Sequence, residues 1–350
     1  MKLTPFVAVA VLGFGGAGVR AAETEMPQYQ VTDLGVTPFI ADNTSLSVDR
    51  AGAVALCRVD GESAPQAALW RFGKTTVFTL PAGYHSAVSR SLSESGGVVA
   101  GWMSTSSNSV DSLATTRAFV TRAGKPFLLG TLGGRDSQAF GVNAKGFVVG
   151  AAQTKEREKH AVMWRAGKIT DLGLLPGGRA SAAYAINPSG TIAGSANVPL
   201  AGTKVFMNHA VIWRGGKIMD LGLLPEGKWA IATAINSKGD VVGLAGVGGD
   251  THAFLYQDGR MSDLGSPGEE TVSARAIGDG GEVVGIFAVN ERIHHAFLWK
   301  NGQIADLNQC LPKGSGWTLL QGDGMNARGQ IACQARSAQG EIHAVLLTPQ

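Results

Sequence analysis

The chain has 350 residues, enough for one large domain or two average ones, and it contains 49 glycines but only 13 prolines. Charged residues make up 16% of the sequence, and this composition favours a fold with many tight turns over a helical or disordered chain. The formal net charge of +3 falls to about +1 if Lys2 and Arg20 are removed. A charge this low gives no electrostatic support for nucleic-acid binding.

Residues 1–22 have the pattern of a secretory signal peptide. Lys2 is followed by an apolar run from Leu3 to Val19 and by a small-residue site at Ala21 and Ala22. The run is short and interrupted by glycines, so a retained membrane anchor is the less favoured alternative, and no later stretch has the length of a transmembrane helix. We expect a single domain over residues 23–350 that is secreted or periplasmic and monomeric.

One repeat fills the rest of the chain. A glycine after the first strand marks its register, with spacings of 44, 50, 44, 49, 42 and 48 residues, at Gly52, Gly96, Gly146, Gly190, Gly239, Gly281 and Gly329. Each copy offers four short strands: strand a before an N-x-x-G turn, strand b with an xVVG run, strand c with HAFLW or a variant, and strand d ending at DLG. Four strands in each of seven copies predict an all-β fold, a seven-bladed β-propeller.

The two ends of the chain predict how the ring closes. The last copy stops after strand c, at residues 343–349, whereas an unmatched strand d, YQVTDLG, stands at residues 29–35. If the N-terminal strand lies at the outer edge of the last blade, all seven blades have four antiparallel strands.

These motifs resemble the HAF repeat family of extracellular repeats, and the resemblance covers residues 28–349. HAF begins at residues 252 and 295, and its variant HAV begins at residues 160, 209 and 343. The resemblance implies export and a repeat architecture, and it brings no activity or catalytic residues.

Five histidines of strand c are each matched to an aspartate of strand d. Four of the pairs are eleven residues apart and the fifth forms across the ring closure: His160 and Asp171, His209 and Asp220, His252 and Asp263, His295 and Asp306, His343 and Asp33. The hairpin between the strands makes the partners diagonal neighbours within hydrogen-bonding reach. One such pair would suggest acid–base catalysis. Five equivalent pairs around a ring cannot flank one substrate, so we expect them to tie strand c to strand d.

Ligand-binding residues are expected where the copies differ, because equivalent positions serve the fold. Three residues before the end of strand a, the copies carry Leu46, Arg90, Phe140, Tyr184, Thr233, Arg275 and Asp323. Strand a lies nearest the axis, so the candidates at a channel mouth are Arg90, Tyr184, Arg275 and Asp323. A structural pair between Arg275 and Asp323 is the alternative. The loops that enter strand a add four further candidates, for which a solvated surface is an equally good explanation: His85, Arg135, Arg179 and Trp229.

Three cysteines follow the leader. An oxidising compartment permits one disulfide, for which Cys310 and Cys333 are the preferred partners, and the absence of any disulfide is the open alternative. No CxxC or HxxxH spacing accompanies the cysteines, so neither a metal site nor a cofactor is predicted.

The sequence therefore predicts an exported binding or scaffold module that recognises a glycan, a peptide or a protein on the face that carries the longer loops. The alternative is a propeller enzyme, a lyase, epimerase or hydrolase of saccharides, that uses His85, Tyr184, Arg90 or Arg275 in the channel mouth. No G-x-S-x-G nucleophile motif is present.

Overall fold

The computed structural model describes residues 26–37, 45–59, 64–107, 114–267, 271–290 and 293–350. Its strands form seven sheets of four antiparallel strands each, so the protein is a seven-bladed β-propeller, as predicted. In these ranges no helix combines the length and the apolar character that a membrane span requires. The predicted signal peptide, residues 1–22, lies outside the described residues.

The blades follow one another in chain order, each with its own strands a to d. Before the first blade comes β1 (Tyr29–Val36). Blades 1 to 3 contain β2 (Ser47–Val48), β3 (Val54–Arg58), β4 (Gln66–Arg71), β5 (Lys74–Val77), β6 (Ser86–Leu92), β7 (Val99–Ser104), β8 (Thr116–Arg122), β9 (Lys125–Leu128), β10 (Gly133–Val142), β11 (Val148–Thr154), β12 (Lys159–Arg165) and β13 (Lys168–Asp171).

The second half of the ring repeats this arrangement. Blades 4 to 6 contain β14 (Ser181–Ile186), β15 (Ile192–Pro199), β16 (Phe206–Arg214), β17 (Lys217–Asp220), β18 (Gly227–Ile235), β19 (Val241–Val247), β20 (Asp250–Gln257), β21 (Arg260–Asp263), β22 (Val272–Ile277), β23 (Val283–Asn290), β24 (Ile293–Lys300) and β25 (Gln303–Asp306). After a single turn of 3-10 helix at Leu307–Cys310, blade 7 contains β26 (Trp317–Met325), β27 (Ile331–Ser337) and β28 (Ile342–Pro349).

The N-terminal strand closes the ring. Blade 7 has the strand order β1-β28-β27-β26, so β1 supplies its missing outer strand. In the antiparallel pairing of β1 with β28, Tyr29 lies opposite Pro349 and Asp33 opposite Val345. The Tyr29 side chain is buried in the core of this blade, where burial raises the pKa of its phenol. The predicted closure is confirmed, because the two ends of the chain share one sheet.

Two kinds of tight turn make such short strands possible. After strand a, all seven register glycines have φ between 70° and 97°, a conformation that is strained for other residues. Between strands c and d the hairpins have positive φ at both central residues, for example 49° at Ala166 and 79° at Gly167. A type I′ turn of this kind matches the twist of the strands that it joins.

The hydrophobic core lies between neighbouring blades. One cluster combines Val149 and Ala161 of blade 3 with Ala183 and Trp213 of blade 4, and all four side chains are buried. Each blade thus buries an apolar face against the next, and the stability of the ring depends on contacts between adjacent repeats.

The three cysteines are free and buried. The predicted disulfide between Cys310 and Cys333 is not formed in the structure, although both residues belong to the same core cluster. The strand register places Cys333 opposite Val345 and Gly322. Burial raises the pKa of both thiols, which disfavours the thiolate that forms disulfides. The disulfide between Cys310 and Cys333 stays a prediction for an oxidising compartment, with the absence of any disulfide as its alternative.

Candidate functional site

A cavity of about 580 Å³ lies where the inner strands of all seven blades meet. Its volume is within the range of small-molecule binding sites. The cavity is lined by the seven residues at which the copies of the repeat differ: Leu46, Arg90, Phe140, Tyr184, Thr233, Arg275 and Asp323. It extends to the face that carries the a–b turns, where its rim is formed by Arg50, Glu94, Ser237, Asp279 and Ala327.

A β-bulge in strand a presents these side chains to the cavity. In blade 2, Ser89 pairs with Gly101 and Ser91 pairs with Ala100, so that Arg90 is the extra residue between them. The same register shift leaves one residue unpaired in each of the five following blades: Phe140, Tyr184, Thr233, Arg275 and Asp323. A bulge bends its strand and redirects a side chain. One backbone device thus displays six side chains of five kinds at the axis.

A glycine of strand b, which ends the xVVG run or its variant, makes room for the bulge. A Cβ atom added to Gly194 would lie 2.0 Å from the carbonyl oxygen of Ala182, and equivalent glycines in four other blades have the same contact at 1.9 to 2.0 Å. Sequence reasoning missed the bulges. The available signal was this glycine, since a glycine inside a strand marks a bulge or a close backbone approach.

In the described part of the chain, two arginines and one aspartate form the deep charged part of the cavity. The Asp323 carboxylate is buried and accepts hydrogen bonds from Gln321 Nε2 and, at 3.4 Å, from Gln334 Nε2. Burial raises the pKa of Asp323, and the positive charges of Arg275 and Arg90 oppose this rise. The opposition from Arg275 is the larger of the two. The structure thus places Arg275 within electrostatic range of Asp323, as both predicted roles require.

Arg90 has an unfavourable electrostatic environment. Its pKa is lowered, first by burial and then by the positive charge of Arg275, although Asp323 acts in the opposite direction. The buried Nη1 of Arg90 has no hydrogen-bond partner among the described residues. Behind Arg90, the buried Cys57 thiol has its pKa raised to about 12, chiefly by desolvation, so it is not a nucleophile at neutral pH.

An aromatic wall continues around the cavity from the charged part. The rings of Phe140 and Tyr184 have centroids 5.3 Å apart, and Trp102 packs edge-on against Phe140 with a centroid distance of 5.9 Å. Phe140 and Tyr184 line the cavity, while Trp102 is buried behind them. The cavity therefore combines an apolar aromatic side with a side rich in hydrogen-bond donors.

The four candidates from the loops lie apart from this cavity. His85 is exposed, and Arg135 is exposed with its Nη2 donating to the carbonyl oxygen of Ala114 at 3.0 Å. The Arg179 guanidinium lies 5.1 Å from the ring centroid of Phe206. Phe206 and Trp229 border a second, shallow depression, which shares the lining residue Ile231 with the axial cavity. The structure thus divides the eight predicted ligand-binding residues into four at the axis and four elsewhere.

The five His–Asp pairs lie on the outer strands of their blades, and each histidine donates Nδ1–H to its carboxylate. The nitrogen–oxygen distances are 2.8 Å for His160 and Asp171, 2.8 Å for His209 and Asp220, 2.6 Å for His252 and Asp263, 2.7 Å for His295 and Asp306, and 2.9 Å for His343 and Asp33. Each aspartate also accepts a hydrogen bond from the backbone N–H two residues later, for example from Gly173 to Asp171 at 2.8 Å. Each carboxylate thus joins strand c to the turn that follows strand d. In the described part of the chain, no group of three or more His, Cys, Asp or Glu side chains is arranged to hold a metal ion.

No family model and no curated protein matches the chain. Solved structures are similar in fold. The β-propeller domain of the Trilobed protease from Pyrococcus furiosus, described as having an open velcro topology, matches 92% of this chain over 95% of its own length, with 10% identity and a TM-score of 0.57. A puromycin hydrolase matches 88% of this chain at 10% identity, with a TM-score of 0.54, and here the chain spans about half of the hydrolase, 51%. At this identity the similarity shows the fold alone: the chain has the architecture of a β-propeller domain.

Proposed function

We propose that the protein is a non-catalytic binding or scaffold module that holds a ligand in the axial cavity. The observation that carries this proposal is the set of side chains displayed by the bulges. The backbone device is the same in six blades, yet the displayed residues include two arginines, an aspartate and two aromatic rings. Desolvating a charged side chain at this position costs free energy, and packing of the inner strands alone does not require one.

The proposed location is outside the cytoplasm, either secreted or periplasmic. The signal-peptide pattern of residues 1–22 and the resemblance to the HAF repeat family both support export. The low net charge supports a partner other than nucleic acid, such as a small molecule, a peptide, a glycan or a protein. A monomer is the proposed state.

The enzyme alternative is not favoured, because the one histidine among its candidate residues lies away from the others. Tyr184, Arg90 and Arg275 line the cavity, but His85 is exposed and lies outside the cavity lining. Among the described residues, the carboxylate deep in the cavity is that of Asp323, which accepts hydrogen bonds from the side-chain amides of Gln321 and Gln334. General acid–base catalysis needs a group that can reach a reacting atom.

A thermal-shift screen tests the proposal on the mature protein. A ligand that binds only the folded state raises its stability, by about 2.7 kcal/mol at a concentration of 100 Kd. We expect at least one compound from a library of cell-envelope sugars, peptides and small organic ions to raise the melting temperature.

The Ala327→Trp variant locates the binding site, because Ala327 is exposed at the rim of the cavity and an indole there narrows the entrance. Ala144→Trp is the matched control: it occupies the same turn position in blade 3, and Ala144 is exposed but does not line the cavity. The stabilisation should disappear in Ala327→Trp and persist in Ala144→Trp. A ligand that stabilises both variants equally binds elsewhere and contradicts the proposal.

A further inference from the structure

The turns that join strand a to strand b and strand c to strand d lie on one face of the ring, which we call the turn face. In a blade of four antiparallel strands these two connections share one end, and the b–c and d–a connections share the other. Seven a–b turns and six c–d turns form this face, because the outer strand of blade 7 comes from the N-terminus. All thirteen turns belong to the described residues.

The turn face is strongly cationic, although the chain as a whole is nearly neutral. From the last residue of strand c to the first residue of strand d, the six c–d turns contain ten Lys or Arg side chains and one carboxylate. Between their strands, the seven a–b turns contain four Lys or Arg side chains and five carboxylates. The turn face therefore has an excess of eight positive charges, from fourteen cations and six carboxylates.

The rest of the chain has the opposite charge. Residues 23–350 have a net charge of +1, so the residues of this range outside the turn face have a net charge of −7. The internal segments that the structure does not describe are parts of b–c and d–a connections, so they do not enter the count. Residues 23–25, also outside the described residues, contain two carboxylates, too few to cancel the excess. The low net charge thus conceals a strong asymmetry.

Most of the cations form a repeated pair at the c–d turns. Strand c ends with Arg and strand d begins with Lys in four successive blades: Arg71 and Lys74, Arg122 and Lys125, Arg165 and Lys168, Arg214 and Lys217. Blades 5 and 6 keep one cation each, the exposed Arg260 and the half-buried Lys300. The register places each Arg of the four pairs directly opposite its Lys. Like charges at opposite positions destabilise a sheet, so the pairs do not serve the pairing of strands c and d.

The arginines and the lysines of these pairs differ in their contacts. Each Arg has a contact within the fold: the Asp49 carboxylate for Arg71, the Phe127 ring for Arg122, the Phe147 ring for Arg165, and Thr191 Oγ1 for Arg214. The four lysines are exposed, and none has an ion pair or a side-chain hydrogen bond with a described residue. The lysines therefore add charge to the surface without a contact that stabilises the blade.

Phe72 is an exposed aromatic residue at the tip of the first c–d turn. Its φ is 50°, and it is 83% exposed. At the same turn position the next five blades have small or polar residues: Ala123, Ala166, Gly215, Asp258 and Asn301. A left-handed backbone is strained for a bulky side chain, and exposing an apolar ring to water is unfavourable. The local fold therefore does not explain Phe72, whereas a surface that takes up its ring does.

The c–d turns present their cations at equivalent heights. Each has two residues between the strands, and both have positive φ in all six turns. Eight cations thus follow the edge of the turn face along blades 1 to 4, with Phe72 at one end of this arc. Flexible cations spread along an arc match many phosphate groups in one plane, and an aromatic ring beside them can enter the apolar layer under the head groups.

We propose that the turn face docks on a bilayer that contains anionic phospholipids. The Lys and Arg side chains of the c–d turns bind the phosphate groups, and the ring of Phe72 enters the interface. This role goes beyond the proposed function, because it requires no ligand in the axial cavity. The cavity extends to the same face, so docking directs its mouth toward the membrane.

Sedimentation with vesicles tests the proposal on the mature protein. The protein should sediment with phosphatidylcholine vesicles that contain about 30% phosphatidylglycerol and stay in solution with phosphatidylcholine alone, which has no net charge. Raising the NaCl concentration from about 0.1 M to about 0.5 M should weaken the binding by about tenfold or more, because salt screens the attraction. A protein that does not bind the anionic vesicles at the lower salt concentration overturns the proposal.

A quadruple variant connects the binding to the turn face: Lys74→Gln, Lys125→Gln, Lys168→Gln and Lys217→Gln. It should bind the anionic vesicles about a hundredfold more weakly or worse, since each charge near the surface accounts for about fivefold in affinity.

The control removes the same charge from four exposed lysines at the opposite end of the blades: Lys155→Gln, Lys159→Gln, Lys204→Gln and Lys228→Gln. It should bind within about threefold of the wild type, because these side chains are far from the docked bilayer. Equal losses in the two quadruple variants would assign the binding to net charge alone and contradict the proposal.

Phe72→Asn tests the aromatic contact. Asn is the residue at this turn position in blade 6, so the variant should be at least as stable in urea as the wild type. It should bind the anionic vesicles about tenfold more weakly, because no ring enters the interface. Wild-type affinity of this variant contradicts the proposal. If the protein then binds soluble dextran sulfate as tightly as vesicles, its partner is an acidic polymer. The thermal-shift screen uses no membrane, so these outcomes leave the test of the proposed function independent.

Discussion

The periphery and the axis of this propeller use repetition in opposite ways. On the outer strands, the same His–Asp hydrogen bond recurs in five blades, with distances between 2.6 and 2.9 Å. At the axis the backbone bulge recurs in six blades while the displayed side chain changes from blade to blade. A repeated side chain indicates a role in the fold, and a repeated backbone with changing side chains indicates a site. Four changes to the chain test this distinction.

The largest effect is expected where the axial device itself is changed. Gly194→Ala puts a Cβ atom 2.0 Å from the carbonyl oxygen of Ala182, so strands a and b of blade 4 must separate or lose the bulge that carries Tyr184. We expect a loss of about 3 kcal/mol in the free energy of unfolding. Urea denaturation measures this loss.

The control is Cys333→Ala, at the equivalent position of blade 7, where the register already accepts a side chain opposite Gly322. It should cost about 1 kcal/mol or less. Equal losses in the two variants would show that the strand-b glycine does not make room for the bulge.

A smaller effect is expected at the periphery. His295→Ala removes the hydrogen bond to Asp306, whose side chain also caps the 3-10 helix. Both side chains retain about a fifth of their exposure, 21% and 19%, so solvent moderates the loss to about 1 kcal/mol. His294→Ala, one residue earlier on the same strand, is the control and should change the stability by less than about 0.5 kcal/mol. If His294 and His295 prove equally important, the structural role of the pairs is wrong.

The closure, the turns and the partners in the His–Asp pairs could be predicted from the sequence, because each depends on spacing along the chain or on the chemistry of one residue type. The seven variable positions of strand a, all of which line the cavity, could be predicted too, from the differences between copies. The bulges could not, because they arise from a register shift between two strands and leave only an inconspicuous glycine such as Gly194 in the sequence. The position of His85 outside the cavity could not be predicted either, since spacing along the sequence does not show which loop residues reach the cavity between the inner strands.

The pH dependence of stability sharpens the comparison within the axis. Burial raises the pKa of Asp323, so the folded state holds its proton more tightly than the unfolded state does. Stability attributable to this group is therefore greatest at low pH and falls as the pH rises from the ordinary aspartate pKa, about 3.9, through the raised value. Asp323→Asn lacks this dependence. Denaturation of both proteins between pH 4 and pH 7 should show the wild type gaining stability relative to Asp323→Asn as the pH falls. If the wild type instead gains stability relative to Asp323→Asn as the pH rises, the pKa of Asp323 is not raised.

The central claim is that the axial charges serve binding and do not hold the fold together. It is tested most directly by the free energy of unfolding of Arg90→Gln without ligand, compared with Arg260→Gln. Arg90 is desolvated, lies within range of a like charge, and has an unpartnered buried Nη1 among the described residues. Removing its charge should therefore leave the protein as stable as the wild type or more stable. Breaking a buried ion pair costs about 3 to 5 kcal/mol. A loss approaching that size, of about 2 kcal/mol or more, would show that Arg90 is a structural partner and would contradict the account.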